Sequence, residues 1–182
     1  MLSFRENIPI ILQAVEAMQP KKVADVGAGM GKFGLLIREQ YLSAKAEKGE
    51  LEPVDDIVID AIEDTRYLLT DRLRSIYNSV IERDVFECGD IFREGGYDIV
   101  LMIDTVEHWE KEKTINLLKE ISKYSAILVS TPRRTGMYSE HFYGDPRHHI
   151  TQWTEDDFTG NFETQVVLSA KSHIIIIKKR ND

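Results

Sequence analysis

Three glycines occur at alternate positions in the string Asp25-Val26-Gly27-Ala28-Gly29-Met30-Gly31, directly after a short apolar run. The apolar residues that follow recur at helical spacing, so the string marks a turn from a strand into a helix. Glycine has no Cβ, which lets the backbone turn sharply there and approach a ligand closely. The string predicts an α/β fold whose first strand and crossover helix meet at a turn that either binds a ligand or is purely structural.

The rest of the chain alternates between strand and helix patterns. Apolar runs predict strands over 23–26, 56–62, 97–103, 126–130, 165–169 and 172–178 and a short strand within 80–87, and helical spacing predicts helices over 1–19, 32–42, 65–79, 113–124 and 154–158. This alternation implies parallel βαβ units with helices on both faces of the sheet. The last two strands are too close for a helical crossover, so they should pair antiparallel. We expect a three-layer α/β fold with a seven-stranded mixed sheet and an antiparallel edge hairpin.

The length and composition of the chain limit the classes of protein to which it can belong. The chain has 182 residues, and we expect a single domain over 1–182 with an N-terminal helix over 1–19. A formal net charge of −8 argues against a protein that binds nucleic acid or anionic lipid over its whole surface. Cys88 is the only cysteine, so no internal disulfide can form. No apolar run is long enough for a membrane span and no signal-peptide pattern is present, so we expect a cytoplasmic protein.

The residues around the glycines separate the classes of ligand. A Walker loop would need serine or threonine after its Gly-Lys pair, whereas Lys32 precedes Phe33. A dinucleotide pattern fits only over 29–34, two residues late relative to the strand. The string over 23–34, V-A-D-V-G-A-G-M-G-K-F-G, resembles motif I of the class I S-adenosylmethionine-dependent methyltransferases, in which an acidic residue and one spacer precede Gly-x-Gly-x-Gly.

This resemblance covers 23–178 and implies a Rossmann-like methyltransferase fold that binds S-adenosylmethionine. In that family the glycines face the methionine and ribose portions of the cofactor, and an acid ending the second strand, here Glu63, accepts hydrogen bonds from the ribose hydroxyls. An acid after the third strand, here Asp90, bonds the adenine amino group beside an apolar neighbour, here Ile91. The implied cofactor-binding residues are Asp25, Gly27, Gly29, Gly31, Phe33, Glu63, Asp90, Ile91 and Asp104.

Two classes of methyltransferase can be set aside. Enzymes that methylate amino groups of bases carry Asn/Asp-Pro-Pro-aromatic after the fourth strand, where this chain has Ile-Asp-Thr-Val over 103–106. Cytosine-C5 enzymes need a nucleophilic cysteine after a proline, but Cys88 follows Glu87. A small buried hydrophobic role suits Cys88 better.

A pattern later in the chain narrows the resemblance to particular groups of methyltransferases. Asp104-x-x-Glu107-His108, followed by His149 four residues before a Trp-Thr pair, resembles small-RNA 3′-terminal 2′-O-methyltransferases and ubiquinone-pathway O-methyltransferases. In the RNA enzymes such residues bind a divalent metal, which implies Asp104, Glu107, His108 and His149 as ligands for Mg²⁺ or Mn²⁺. Asp104 departs from the pattern, because the family has a longer glutamate there. In the metal-free alternative Glu107 and His108 shape the pocket and His149 is a general base or a residue of the covering loop.

The segment 131–150 follows the fifth strand, at the sheet edge where open α/β folds bind ligands. Its aromatic residues and histidines predict a loop that covers the substrate, and Arg133, Arg134 and Arg147 could hold an anionic group. We expect His149, His108 and Glu107 to carry catalysis.

The expected reaction is O-methylation of a small molecule by direct displacement. Metal-dependent methylation of an RNA 3′ end and a non-catalytic S-adenosylmethionine-binding module are the alternatives, and a dinucleotide oxidoreductase is a more distant one.

Overall fold

Seven strands form one mixed sheet in a computed structural model that describes residues 5–49, 57–133, 149–167 and 171–180. The strands are β1 (Lys22–Val26), β2 (Val58–Ile62), β3 (Ser79–Ile81), β4 (Ile99–Ile103), β5 (Ala126–Pro132), β6 (Thr164–Val167) and β7 (Ser172–Ile177). Their order is β3-β2-β1-β4-β5-β7-β6, with β7 antiparallel to both of its neighbours and the other pairs parallel. The predicted mixed sheet with an antiparallel edge hairpin is confirmed.

Helices cover both faces of this sheet, which confirms the three-layer architecture. They are α1 (Asn7–Met18), α2 (Lys32–Glu47), α3 (Asp71–Ile76), α4 (Gly89–Gly95), α5 (Lys111–Ile121) and α6 (Glu155–Thr159). Side chains of α1, α2 and α3 form one apolar core with the sheet, and those of α4, α5 and α6 form the other. None of the described helices is long and apolar enough to cross a membrane.

Several boundaries differ from the sequence-based expectation. The predicted helix over 65–79 is a single 3-10 turn at Arg66–Leu68 followed by α3, because the Thr70 hydroxyl accepts a hydrogen bond from the Leu73 N–H and caps a new helix. The helix predicted over 32–42 continues to Glu47, through residues with high helix propensity.

The third strand is short, as expected, and lies at the start of the predicted 80–87 region. It ends at Ile81, a 3-10 turn follows at Val85–Glu87, and α4 was not expected at all. The predicted covering loop over 131–150 lies largely outside the described residues, together with Arg134 and Arg147.

The order of the strands fixes where a ligand can bind. β1 pairs with β2 on one side and with β4 on the other, all three in parallel, so the direction of winding reverses at β1. The loops that follow these strands leave the sheet at its carboxyl edge and enclose a crevice, the usual ligand site of open α/β sheets.

A buried hydrogen bond lies beneath the strand-to-helix turn over residues 27–31, which we call the glycine loop. The Tyr77 hydroxyl donates to Asp25 Oδ2 at 2.5 Å, and Asp25 is only 3% exposed. Gly34 on α2 makes room for this contact, since a Cβ there would lie 2.5 Å from the Tyr77 ring. Burial raises the pKa of Asp25 to about 7, although the hydrogen bond from Tyr77 acts in the opposite direction.

Asp25→Asn should change how the free energy of unfolding depends on pH. The folded-state pKa of about 7 exceeds the ordinary value of 3.8, so the folded state binds more protons, and wild-type stability falls as pH rises between these values. Asparagine cannot ionise, so the stability of the variant relative to wild type should rise across this window by up to about 4 kcal/mol. Urea unfolding of both proteins from about pH 4 to about pH 8 measures the difference, and parallel pH curves would contradict it.

Candidate active site

The glycine loop closes over the ends of β1 and β2. The Gly27 N–H donates to the carbonyl oxygen of Ile62 at 2.9 Å, which ties the loop to β2. Gly27 has a φ of +68°, and a Cβ on it would lie 2.8 Å from the Thr105 side chain in the loop after β4. A larger residue at position 27 would therefore be strained and would collide with that loop. Gly29 and Gly31 also have positive φ values, which confirms the predicted strand-to-helix turn.

Glu63 faces the glycine loop from the end of β2. Its Oε2 accepts a hydrogen bond from the Gly29 N–H and its Oε1 accepts one from the Thr65 N–H, both at 3.0 Å. A carboxylate can accept about four hydrogen bonds, so these two donors fix its orientation and leave acceptor sites for a ligand. The structure brings Glu63 and the glycine loop together, as the sequence predicts.

A cavity of about 120 Å³ lies where these elements meet. Its described lining comprises Val26, Gly27, Gly29, Ile62, Glu63, Asp64, Leu68, Arg83, Asp84, Val85, Thr105, His108 and Trp109. The lining joins residues after β1, β2, β3 and β4, so the cavity occupies the crevice where the strand order reverses. Three predicted cofactor residues, Gly27, Gly29 and Glu63, and the predicted catalytic His108 share it.

Other predicted cofactor residues support the cavity without lining its described part. Asp25 lies beneath the glycine loop with its carboxylate bonded to Tyr77. Gly31 caps the start of α2. Phe33 is buried against the sheet among the apolar side chains of α1, α2 and α3.

The acid that reaches the cavity after the third strand is Asp84 and not Asp90. Because β3 ends at Ile81, Asp84 comes three residues after the strand and lines the cavity. Asp90 lies on α4, where its half-exposed carboxylate pairs with Arg83 at 3.1 Å. Ile91 beside it packs against the core beneath α4. The structure thus separates Asp90 and Ile91 from the described lining of the cavity.

Hydrogen bonds bring His149 to the site. They join the segment that follows His149 to the 3-10 turn Val106–His108, which follows β4. The carbonyl oxygen of Glu107 accepts from the N–H groups of Ile150 and Thr151, at 3.0 and 3.1 Å. The indole N–H of buried Trp153 donates to the carbonyl oxygen of the residue before Glu107, at 3.2 Å. These bonds hold two segments that are more than forty residues apart in the chain.

Glu107, His108 and His149 form a compact cluster. One ligand atom from each lies within 4.8 Å of the other two. His149 Nε2 is 3.9 Å from Glu107 Oε1, and the two imidazole rings meet edge to face with centroids 4.9 Å apart. The structure therefore brings together all three residues that the sequence assigns to catalysis.

Burial dominates the electrostatics of this cluster. It raises the pKa of Glu107 well above its ordinary value, and the nearby Asp104 carboxylate adds to the effect. Burial lowers the pKa of His149, while Asp104 acts in the opposite direction. A neutral His149 imidazole offers a lone pair that can accept a proton or bind a metal.

Asp104 lies beside the cluster but does not belong to it. Its backbone adopts a φ of +51°, which is unusual for a residue other than glycine, and its N–H donates to the Ser130 carbonyl oxygen at 2.7 Å. The Ser130 hydroxyl donates to Asp104 Oδ1 at 3.2 Å. Of the four predicted metal ligands, three converge, and the shorter aspartate is the one outside the group.

The cluster fits a divalent cation by the chemistry of its donors. Neither carboxylate oxygen of Glu107 has a hydrogen-bond partner within the described ranges, although the side chain is only 1% exposed. A buried carboxylate of this kind needs a positive or hydrogen-donating partner. Two imidazole nitrogens and one carboxylate suit Mn²⁺ and the later transition metals better than Mg²⁺, which prefers oxygen ligands.

Sequence patterns did not single out several residues that shape the site. Thr105 packs against Gly27, Tyr77 holds Asp25, and Trp109 closes one side of the cavity, edge to face with Phe86 at 5.1 Å. Trp109 directly follows the Glu-His pair, which is a signal that could have identified it. The contact of Thr105 with Gly27 depends on the pairing of β1 with β4 and has no local signature.

Comparison with known proteins gives structural relatives only. No family model matches this sequence, and no curated protein matches it. The structure resembles the methyltransferase domain of bacterial CtHen1, with a TM-score of 0.67 and 15% identity over 96% of this chain and 98% of that one. It also resembles magnesium protoporphyrin IX methyltransferase from Synechocystis PCC 6803 with bound SAH, with a TM-score of 0.62 and 12% identity over 95% of this chain and 82% of that one.

An O-methyltransferase family protein from Burkholderia thailandensis superposes with a TM-score of 0.65 and 10% identity, over 96% of this chain and 56% of that one. All three likenesses are at 15% identity or below, so they concern the fold. The chain has the Rossmann-like fold of the class I S-adenosylmethionine-dependent methyltransferases.

Proposed function

We propose that this protein transfers a methyl group from S-adenosylmethionine to a hydroxyl oxygen of a small molecule. The observation that carries the proposal is the convergence of Glu107, His108 and His149 beside the cavity of the glycine loop. A cofactor site and a cluster of proton-accepting side chains share one crevice, as a displacement between two bound reactants requires.

The cavity residues fit the cofactor. A side chain on Gly27 would fill the space between the loops, so glycine leaves a cradle for a ligand there. Glu63 keeps free acceptor sites for two ribose hydroxyls, and its charge suits a cofactor that carries an ammonium and a sulfonium group. S-adenosylmethionine supplies an electrophilic methyl group, so the protein has to orient the acceptor in line and exclude water.

The cluster then acts on the acceptor. His149 Nε2 can accept the proton of the acceptor hydroxyl, because burial keeps the imidazole neutral. Glu107, 3.9 Å from that nitrogen, can stabilise the imidazolium that forms. A divalent cation held by Glu107, His108 and His149 would instead lower the pKa of the acceptor hydroxyl directly.

An RNA 3′ end is a second candidate acceptor. It is favoured by the convergence of three of the four residues that the RNA-enzyme pattern uses, Glu107, His108 and His149. A single terminus would need only a small surface, which is compatible with a net charge of −8.

Asp84→Asn should weaken binding of S-adenosylhomocysteine about tenfold, the equivalent of one hydrogen bond to a charged group. Asp90→Asn should change the dissociation constant less than Asp84→Asn, because Asp90 touches the described cavity only through its ion pair with Arg83. Titration calorimetry of both variants and of wild type measures this difference. Weakening by Asp90→Asn alone would restore the assignment made from sequence, and binding of NAD(H) in place of the methylation cofactor would remove the proposed function.

Glu107→Gln and His149→Ala should each lower kcat by about a hundredfold or more, with an unchanged dissociation constant for S-adenosylhomocysteine. We expect kcat to fall without a change in the dissociation constant because both residues act on the acceptor and not on the cofactor. Glu120→Gln on the exposed face of α5 is the matched control. Full turnover of wild type in excess chelator would exclude the metal-assisted form, and full turnover of both variants would exclude the cluster from catalysis.

A methyl-transfer screen with labelled cofactor separates the candidate acceptors. We expect label in a hydroxyl compound such as a catechol, and not in carboxylic acids or amines. Short RNAs with and without a free 3′-terminal 2′-hydroxyl test the second candidate, each with Mg²⁺, Mn²⁺ or chelator. The donor set predicts more stimulation by Mn²⁺ than by Mg²⁺. Cofactor binding without transfer to any acceptor would favour a non-catalytic module.

A further inference from the structure

Thr131 lies on the same face of the sheet as Glu107. Along β5, Ile127 and Val129 point into the core beneath α4, α5 and α6, and Thr131 continues this alternation. The 3-10 turn that carries Glu107 contacts β5, and Val106, next to Glu107, belongs to the same core as Ile127 and Val129. Thr131 and Glu107 are each 1% exposed, so both place a polar side chain in the interior on this side of the sheet.

These two side chains carry buried polar atoms that lack hydrogen-bond partners. Neither Thr131 Oγ1 nor either Glu107 carboxylate oxygen has a partner in the described parts of the chain. The Thr131 hydroxyl lies near enough to Glu107 to lower the pKa of that carboxyl, against the effect of burial. A buried polar group without a partner costs about 1–3 kcal/mol, so an apolar residue would serve a purely structural role at position 131 better.

His173 on β7 extends this arrangement. It stands directly opposite Thr131 in the antiparallel register and is 8% exposed. Its Nδ1 is buried and also has no hydrogen-bond partner among the residues described. Side chains of opposed residues in an antiparallel pair lie about 4.5–5.5 Å apart at Cβ. A threonine hydroxyl can donate once and accept twice, so Thr131 can join His173 to Glu107.

We propose that Thr131 is a positioning residue for Glu107. Its hydroxyl donates to the carboxylate and holds it in the orientation in which Glu107 binds a divalent cation with His108 and His149, while His173 supports Thr131 from the opposite side. This role rests on the metal-assisted form of the proposed function. Outer partners of metal ligands typically contribute about 10–100-fold to metal affinity.

The test is Mn²⁺ binding to the full chain, measured by calorimetry and by the electron paramagnetic resonance signal of free Mn²⁺. Thr131→Val removes the hydroxyl and keeps the shape, and it should weaken Mn²⁺ binding about 10–100-fold while leaving S-adenosylhomocysteine binding unchanged. Thr131→Ser should restore most of the Mn²⁺ affinity. Thr114→Val is the matched control, because Thr114 is equally buried and its hydroxyl bonds to Glu110 away from the site.

Wild-type Mn²⁺ affinity in Thr131→Val would overturn the positioning role and leave the proposed function intact. An equal loss in Thr114→Val would also overturn it, because the effect would then be general loosening of the core. Wild-type protein that binds S-adenosylhomocysteine but no Mn²⁺ would remove the metal role and this inference together, and the wild-type titration alone identifies that case. If Thr131→Val does not fold, Thr131→Cys, which is similar in size and a weaker donor, takes its place.

Discussion

The close approach of Gly27 to Thr105 is the contact on which the candidate site depends. It arises because β1 lies between β2 and β4, so that the loops after β1 and β4 meet at the point where the strand order reverses. A residue with a Cβ at position 27 would push these loops apart. With glycine there, the loop after β4 stays close enough for the turn that carries Glu107 and His108 to border the same crevice.

The site is formed from buried polar groups that fold stability alone would not favour. Asp104 has a left-handed backbone, Glu107 is a buried carboxylate, and Thr131 and His173 put polar atoms into an apolar core. Strain and unpartnered polarity of this kind concentrate where a protein binds or reacts with a ligand. The surrounding structure tolerates this cost in stability because strands made of buried apolar residues, above all β4, lie next to the site.

Local sequence signals predicted most of the fold. Apolar runs, glycines and the short spacing between the last two strands were enough for the sheet and its edge hairpin, because these features depend on neighbouring residues. The described cavity is lined by Asp84 and not by the predicted Asp90, because Asp90 lies on α4, a helix that the sequence patterns did not predict. Thr131 and His173 could not be found from sequence, because their pairing depends on the register of β5 and β7.

Because several acids are buried, the net charge of −8 overstates how strongly the outer surface would repel an anionic acceptor. Among the residues that the structure describes, five carboxylates, those of Asp25, Asp60, Glu63, Asp104 and Glu107, are buried and contribute little to the outer surface. Two of them, Asp104 and Glu107, lie in or beside the proposed catalytic cluster. An ionised carboxylate about 4 Å from an anionic acceptor would repel it by about 4 kcal/mol near a protein surface, so such an acceptor needs either a protonated Glu107, which burial favours, or a positive charge in between. A divalent cation at the cluster supplies that charge, which links the RNA-end candidate to metal binding. A neutral hydroxyl compound carries no such requirement.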